Sequence, residues 1–198
     1  MALPETALIL LAAGRSKRFG PKDKLLSAFN ARPLLDYPAS LFNDADDFYR
    51  VAVIGVEDKD RERLLRRRNW NIVTNPTPEI GQGISISLAI EHVQKISHIK
   101  AAIIILGDMP NISEAYIKAL ISRAVSPAEA VMSCCGETLL PPAIFKRSTF
   151  IILSQLANDT GAKDIFHSLS NTAILPLSKS MGIDIDTQAD IQTYGSIL

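Results

Sequence analysis

Cysteine is nearly missing from this chain of 198 residues: it has two, and they are neighbours, Cys134 and Cys135. Two adjacent thiols cannot staple a disulfide framework and lack the spacing of a metal finger, so the sequence reads as one for a reducing, cytoplasmic setting with both thiols buried. Histidine is almost as scarce. His92, His98 and His167 stand far apart with no i, i+4 pair, so neither a zinc helix nor a Ser-His-Asp triad is indicated. Long apolar runs are lacking as well. The opening run, residues 7–13, falls far short of the roughly 20 residues of a membrane span and follows an acidic Glu5, so neither a leader nor an anchor is expected. Net charge is absent too, because 21 Lys and Arg balance 21 Asp and Glu. No global field draws the chain to nucleic acid or to an anionic membrane, and a small molecule is the expected partner.

What is present is alternation. Strand-like apolar runs over 7–13, 51–56, 72–74 and 101–106 are separated by helix-like segments over 33–45, 59–68 and 81–93. Runs such as Ala102-Ile103-Ile104-Ile105-Leu106 are apolar on both faces, as strands covered by helices on two sides must be, so the fold class is α/β with a mostly parallel sheet. The length suits one domain. Asn111 with Glu114 three residues on forms a capping-box pattern that starts another helix. Arg66-Arg67-Arg68 reads as cations complementing a helix C-terminus, and Trp70 as a core anchor.

Charge gathers at one place. Just beyond the first strand, Arg15, Lys17, Arg18, Lys22 and Lys24 cluster with Gly14 and Gly20. A parallel sheet binds ligands beyond the carboxyl ends of its strands, and cations on a glycine-bearing turn suit the oxygens of a triphosphate. The loop is not a Walker loop, since Gly14 to Gly20 has the wrong spacing and Pro21 follows, and no Gly-x-Gly-x-x-Gly is present. Gly107-Asp108 ends another apolar run, and a carboxylate so placed suits magnesium against phosphates. Asp184 and Asp186 alternate with Ile183 and Ile185; in a strand both would share one face and supply a second ligand.

Leu11-Ala12-Ala13-Gly14-Arg15-Ser16-Lys17-Arg18-Phe19-Gly20 resembles the signature Leu-Ala-Ala-Gly-x-Ser-x-Arg-Phe-Gly of the molybdenum cofactor cytidylyltransferase-like, or MobA-like, branch of the nucleotidyltransferases. The resemblance continues through Lys24-Leu25-Leu26, Asn75-Pro76, Gly81-Gln82-Gly83, Ser85, Ser87-Leu88, Gly107-Asp108-Met109-Pro110, Pro141-Pro142-Ala143-Ile144-Phe145 and Asp184-Ile185-Asp186-Thr187, over nearly the whole chain. It implies a Rossmann-like three-layer sandwich of the nucleotide-diphospho-sugar transferase type. One domain would span 1–198, with a nucleotide-binding half over roughly 1–110 and an acceptor-binding half over roughly 111–198.

The implied reaction moves CMP from CTP to the phosphate of molybdopterin, with magnesium as cofactor and release of pyrophosphate, for a target enzyme of the xanthine dehydrogenase type. Arg15, Arg18 and Lys24 are implied as phosphate contacts, and Leu11, Ala12, Ala13 and Gly14 as nucleotide contacts made largely through backbone. Asn75, Gly83 and Ser87 match base and ribose contacts. Asp108 and Asp186 match the magnesium carboxylates, Asp184 is a further candidate, and Arg18, Lys24 and Asp108 carry the catalytic role. Ala13 stands where guanylyl-transferring relatives have glycine, which favours cytidine over guanosine and leaves ATP open. Leu139 and Leu140 replace a glycine or Gly-His before the prolines, which opens a sugar phosphate or another phosphorylated metabolite as acceptor. Residues 158–163 resemble a Gly-Asp-x-Gly-Ala-Arg segment with Asn158 for glycine and Lys163 for arginine. A noncatalytic nucleotide-binding or cofactor-delivery protein is the reading from another class, and the intact acidic positions argue against it.

Overall fold

A computed structural model describes residues 5–15, 17–42, 48–125, 127–158 and 160–195. Seven strands form one sheet in the order β5-β4-β1-β6-β8-β7-β9. They are β1 (Thr6–Leu11), β4 (Phe48–Gly55), β5 (Asn71–Asn75), β6 (Ala101–Leu106), β7 (Ala130–Cys135), β8 (Thr138–Lys146) and β9 (Thr172–Pro176). All run parallel except β8, which is antiparallel to both β6 and β7. The two short strands β2 (Ala28–Phe29) and β3 (Arg32–Pro33) make a separate hairpin.

Period-two alternation along the central strands splits the core in two. Leu8 and Leu10 of β1 and Ile103 and Ile105 of β6 face one layer, with α1 (Asp36–Ala39), α2 (Lys59–Arg67), α4 (Glu114–Ala124) and α7 (Gln188–Tyr194) over it. Ala7, Ile9, Ala102 and Ile104 face the other, beneath α3 (Gln82–Gln94), α5 (Phe150–Leu153) and α6 (Ala162–Ser168). The result is the expected three-layer α/β sandwich, and no described helix is long and apolar enough to cross a membrane. Trp70 is 3% exposed and its indole N–H donates to the Ala39 carbonyl at 3.0 Å, as a core anchor should.

Three expectations are corrected. The helix over 33–45 is a single turn, Asp36–Ala39. Pro33 instead pairs with Ala28 across a turn whose Asn30 and Ala31 have positive φ, and Phe42 turns left-handed just after the helix. A left-handed Asn favours a tight hairpin, and Pro38 opposes a longer helix; residues 43–45 lie outside those described. The α4 helix is capped by Ser113, whose Oγ accepts from Tyr116 N–H, and not by Asn111. Glu114 is drawn away to accept from Phe42 N–H at 2.8 Å, while Asn111 donates to the Ser180 carbonyl. Cys134 and Cys135 are half-exposed free thiols, since they end β7 at its turn into β8 and leave the covered part of the sheet.

Candidate active site

The chain leaves β1 toward β4 and β5, returns to β6 on β1's other side and leaves β6 toward β7 and β8, so the connections after β1 and β6 lead to opposite sides of the sheet. A crevice opens at such a switch point and is the place where open α/β sheets bind ligands. Leu11, Ala13, Gly14, Leu106, Gly107 and Asp108 line it, and Lys24 enters from the loop.

Lys24 is the centre of the crevice. Its side chain is 5% exposed, and its ammonium donates to Asp108 Oδ2 at 2.7 Å and to Asp186 Oδ1 at 3.2 Å. A buried ammonium is tolerable only with such partners. Arg18, largely exposed, reaches Asp186 Oδ2 at 2.9 Å. Asp186 arrives on a segment outside the sheet: residues 183–186 are not a strand, and the Ile185 N–H donates to the Asp108 carbonyl at 3.0 Å. The alternation expected there survives, with Ile185 fully buried and the aspartates turned from it. Partial burial, and then the charges of Asp108 and Asp186, hold the Asp184 carboxyl above the usual carboxylate range.

Asp108 Oδ1 is buried and has no hydrogen-bond partner. An orphaned carboxylate oxygen beside two further carboxylates is a hard oxygen donor set, the kind that suits magnesium or manganese. Among the described residues no three acidic, histidine or cysteine side chains gather closely enough to cage a metal alone. An ion held here would need ligands besides these side chains.

A second cavity of about 540 Å³ adjoins the crevice beyond β1, β4 and β5, bounded by Arg15, Lys22, Glu57, Asp58, Pro76 and Pro78 among others. Arg15 faces Glu79 at 3.8 Å on its open side. A third, of about 340 Å³, lies on the other side of Asp184 and is lined by Leu106, Met109, Cys135, Thr138 and Leu140.

The structure thus brings together Leu11, Ala13, Gly14, Lys24 and Asp108, with Arg18 and Asp186 at the Lys24 junction, Ala12 buried behind the loop, Arg15 at the adjoining cavity and Asp184 across from it. Asn75, Gly83 and Ser87 are not brought there with free groups. Asn75 is fully buried and donates to Ser85 Oγ, Ser87 donates to the Ser154 carbonyl at 2.6 Å, and a Cβ on Gly83 would collide with the Thr160 carbonyl. The exposed Gln82 and the buried Ser85, in the first turn of the same helix, line the crevice instead. The 158–163 segment packs against Gly83, with Asn158 at positive φ and its residue 159 outside those described.

Sequence reasoning missed the buried cation beside the crevice, Arg61, which looks like one of many charges on α2. Its position four residues before the buried Leu65, on the same helix face, was the available signal.

This fold and this cationic, carboxylate-edged crevice define the class of nucleotidyltransferases. The MobA-like NTP transferase domain matches residues 8–173, and the chain belongs to that family. No curated protein sequence matches the chain. Among solved structures it is similar to Rv0371c from Mycobacterium tuberculosis H37Rv, at 20% identity and TM-score 0.82, over 98% of this chain and 100% of that one. The same mycobacterial protein has been solved in complex with manganese. Molybdopterin-guanine dinucleotide biosynthesis protein A from Archaeoglobus fulgidus is similar at 17% identity and TM-score 0.73, over 96% of this chain and 97% of that one. So is 4-diphosphocytidyl-2C-methyl-D-erythritol synthase from Anaerococcus prevotii, at 17% identity and TM-score 0.73, over 98% and 96%.

Proposed function

We propose that the protein transfers CMP from CTP to the terminal phosphate of molybdopterin, releasing pyrophosphate. The observation that carries the reading is the Lys24 ammonium set between Asp108 and Asp186 at the mouth of the β1–β6 crevice. A phosphate oxygen of the acceptor attacks the α-phosphorus, and the bond to the bridging oxygen of the pyrophosphate breaks. The acceptor phosphate is already anionic, so the chain needs no general base or protein nucleophile; it has to neutralise charge and hold the attack in line. Lys24, Arg18 and Arg15 supply positive charge around the triphosphate, and the peptide groups of 11–14 give it a close backbone wall. Magnesium on Asp108 and Asp186 would supply Lewis-acid neutralisation of the phosphate oxygens.

Residues 1–110 form the nucleotide half of this reading, and 111–198 the acceptor half, which ends in the cavity beside Asp184. Ala13 lines the crevice and supports a pyrimidine base, in keeping with the cytidyl product named for the Anaerococcus relative. The product would serve a target enzyme of the xanthine dehydrogenase type.

The test is a matrix of CTP, GTP and ATP against molybdopterin and a set of sugar phosphates, each with magnesium, read as pyrophosphate release. The reading expects release with CTP and molybdopterin. Release with GTP would overturn the base alone, and release only with a sugar phosphate would overturn the acceptor alone.

A further inference from the structure

Arg61 is 4% exposed, and its guanidinium holds the loop that carries Lys24 and the start of its own helix. Its Nε and Nη2 donate to the two oxygens of Asp23 at 2.8 and 2.9 Å, a forked pair. Its Nη1 donates to the carbonyls of Ala12 at 2.6 Å and Gly14 at 3.1 Å, and to Asp58 Oδ2 at 3.2 Å. Asp58 in turn accepts from the Gly55 N–H at the end of β4, at 2.8 Å. One side chain from α2 therefore ties together the ends of β1 and β4 and the turn at Asp23.

Two consequences follow from peptide geometry. In a planar trans peptide the C=O and the next N–H point in opposite directions, so drawing the Ala12 and Gly14 carbonyls onto Arg61 turns the Ala13 and Arg15 N–H groups away from it. Among the described residues neither N–H finds a backbone acceptor. On the other side of the fork, Asp23 Oδ1 accepts from the Leu25 N–H at 2.9 Å, which pins the backbone on both flanks of Lys24. Arg61 lies beside the nucleotide cavity, where its charge is committed to Asp23 and Asp58, so it acts through the groups it holds.

We infer that Arg61 is a positioning residue for nucleotide binding: it presents the Ala13 and Arg15 N–H groups and the Lys24 ammonium to the triphosphate. The inference rests on the reading of this crevice as the triphosphate site. Lysine cannot replace it, because a single ammonium lacks the planar fork that reaches Asp23 and the two carbonyls together.

The experiment compares the full chain with Arg61→Lys and, should that variant fail to fold, Asp23→Asn. Three quantities are read: hydrogen exchange at the Leu25 and Leu26 amides without nucleotide, the Kd for magnesium-CTP, and the same Kd with Lys24→Ala added. The expected result is at least tenfold faster exchange at Leu25 and Leu26 and at least tenfold weaker CTP binding, both read on protein that is still folded. In the Lys24→Ala background the binding penalty should shrink at least threefold, since the two residues act in one chain of contacts. Arg61 has no positioning role if CTP binding or loop exchange stays within twofold of the unsubstituted chain, or if the penalty is the same with and without Lys24. If the unsubstituted chain binds no nucleoside triphosphate while Leu25 and Leu26 still lose protection, the nucleotide reading falls and the clamp on the Lys24 turn stands.

Discussion

The two sides of the crevice are built from different materials. On the β1 side charges answer one another: Lys24 meets Asp108 and Asp186, Arg18 meets Asp186, and Arg61 meets Asp23 and Asp58. Across Asp184 the wall is Leu106, Met109, Cys135 and Leu140, with Thr138 and Asp184 as its polar side chains. The first side has the fixed charges that any transfer of a nucleoside monophosphate requires. On the proposed reading the second side takes the acceptor and selects it by shape. Preorganised charge is also where single substitutions cost most.

Lys24→Met gives the strongest test of that contrast. It removes the cation between Asp108 and Asp186 and should lower kcat/KM for the triphosphate by about 10²- to 10³-fold, the scale of losing one preorganised electrostatic group. Steady-state kinetics within threefold of the unsubstituted protein would mean that the charged side is not the reacting centre.

Ala13→Gly probes the same side for selectivity. One methyl is worth about 1 to 3 kcal/mol in a pocket, so the ratio of CTP to GTP turnover should fall by about tenfold or more. An unchanged ratio would put base selection elsewhere in the crevice.

Asp184→Asn, on the apolar side, should have the smallest effect, and its sign depends on pH. The folded chain keeps the Asp184 proton to a higher pH than the unfolded chain does, because burial and then Asp108 and Asp186 raise its pKa. Between the ordinary value near about 4 and the raised one, rising pH therefore removes stability, and above the raised value the loss is complete. The amide cannot ionise, so the metal-free variant should unfold at a temperature higher by under about 2 °C at pH 8, with the gain vanishing in acid; the exposure of this carboxylate keeps the effect small. A lower midpoint at pH 8 would show that the ionised form is held by partners that outweigh its neighbours.

The legible parts of the sequence were those in which one physical cause dominates. Residues 101–106 announced a strand covered on both faces because burial on both sides leaves no polar position, and the run of five cations after β1 marked where Lys24 and Arg18 meet Asp108 and Asp186. The helix expected over 33–45 failed where local turn chemistry at Asn30 and Ala31 outweighed the apolar spacing. The polarity of Asn75 and Ser87 in the sequence does not reveal that the amide of one and the hydroxyl of the other are spent on internal partners. Arg61 was hidden for the converse reason. Within Lys59–Arg67 a cation reads as a solvated one, and only the fold shows Asp23 and two carbonyls converging on it.

The most direct test follows the α-phosphorus itself. CTP labelled at that atom is incubated with molybdopterin and magnesium, using the unsubstituted chain and Asp108→Asn in parallel, and label in the acceptor is measured. The account expects transfer by the unsubstituted chain and a loss of about 10³-fold in the variant, the scale expected when a carboxylate serving transition-state charge is removed. Absence of label in molybdopterin and in every phosphorylated acceptor tried, or transfer by Asp108→Asn at the unsubstituted rate, would contradict it.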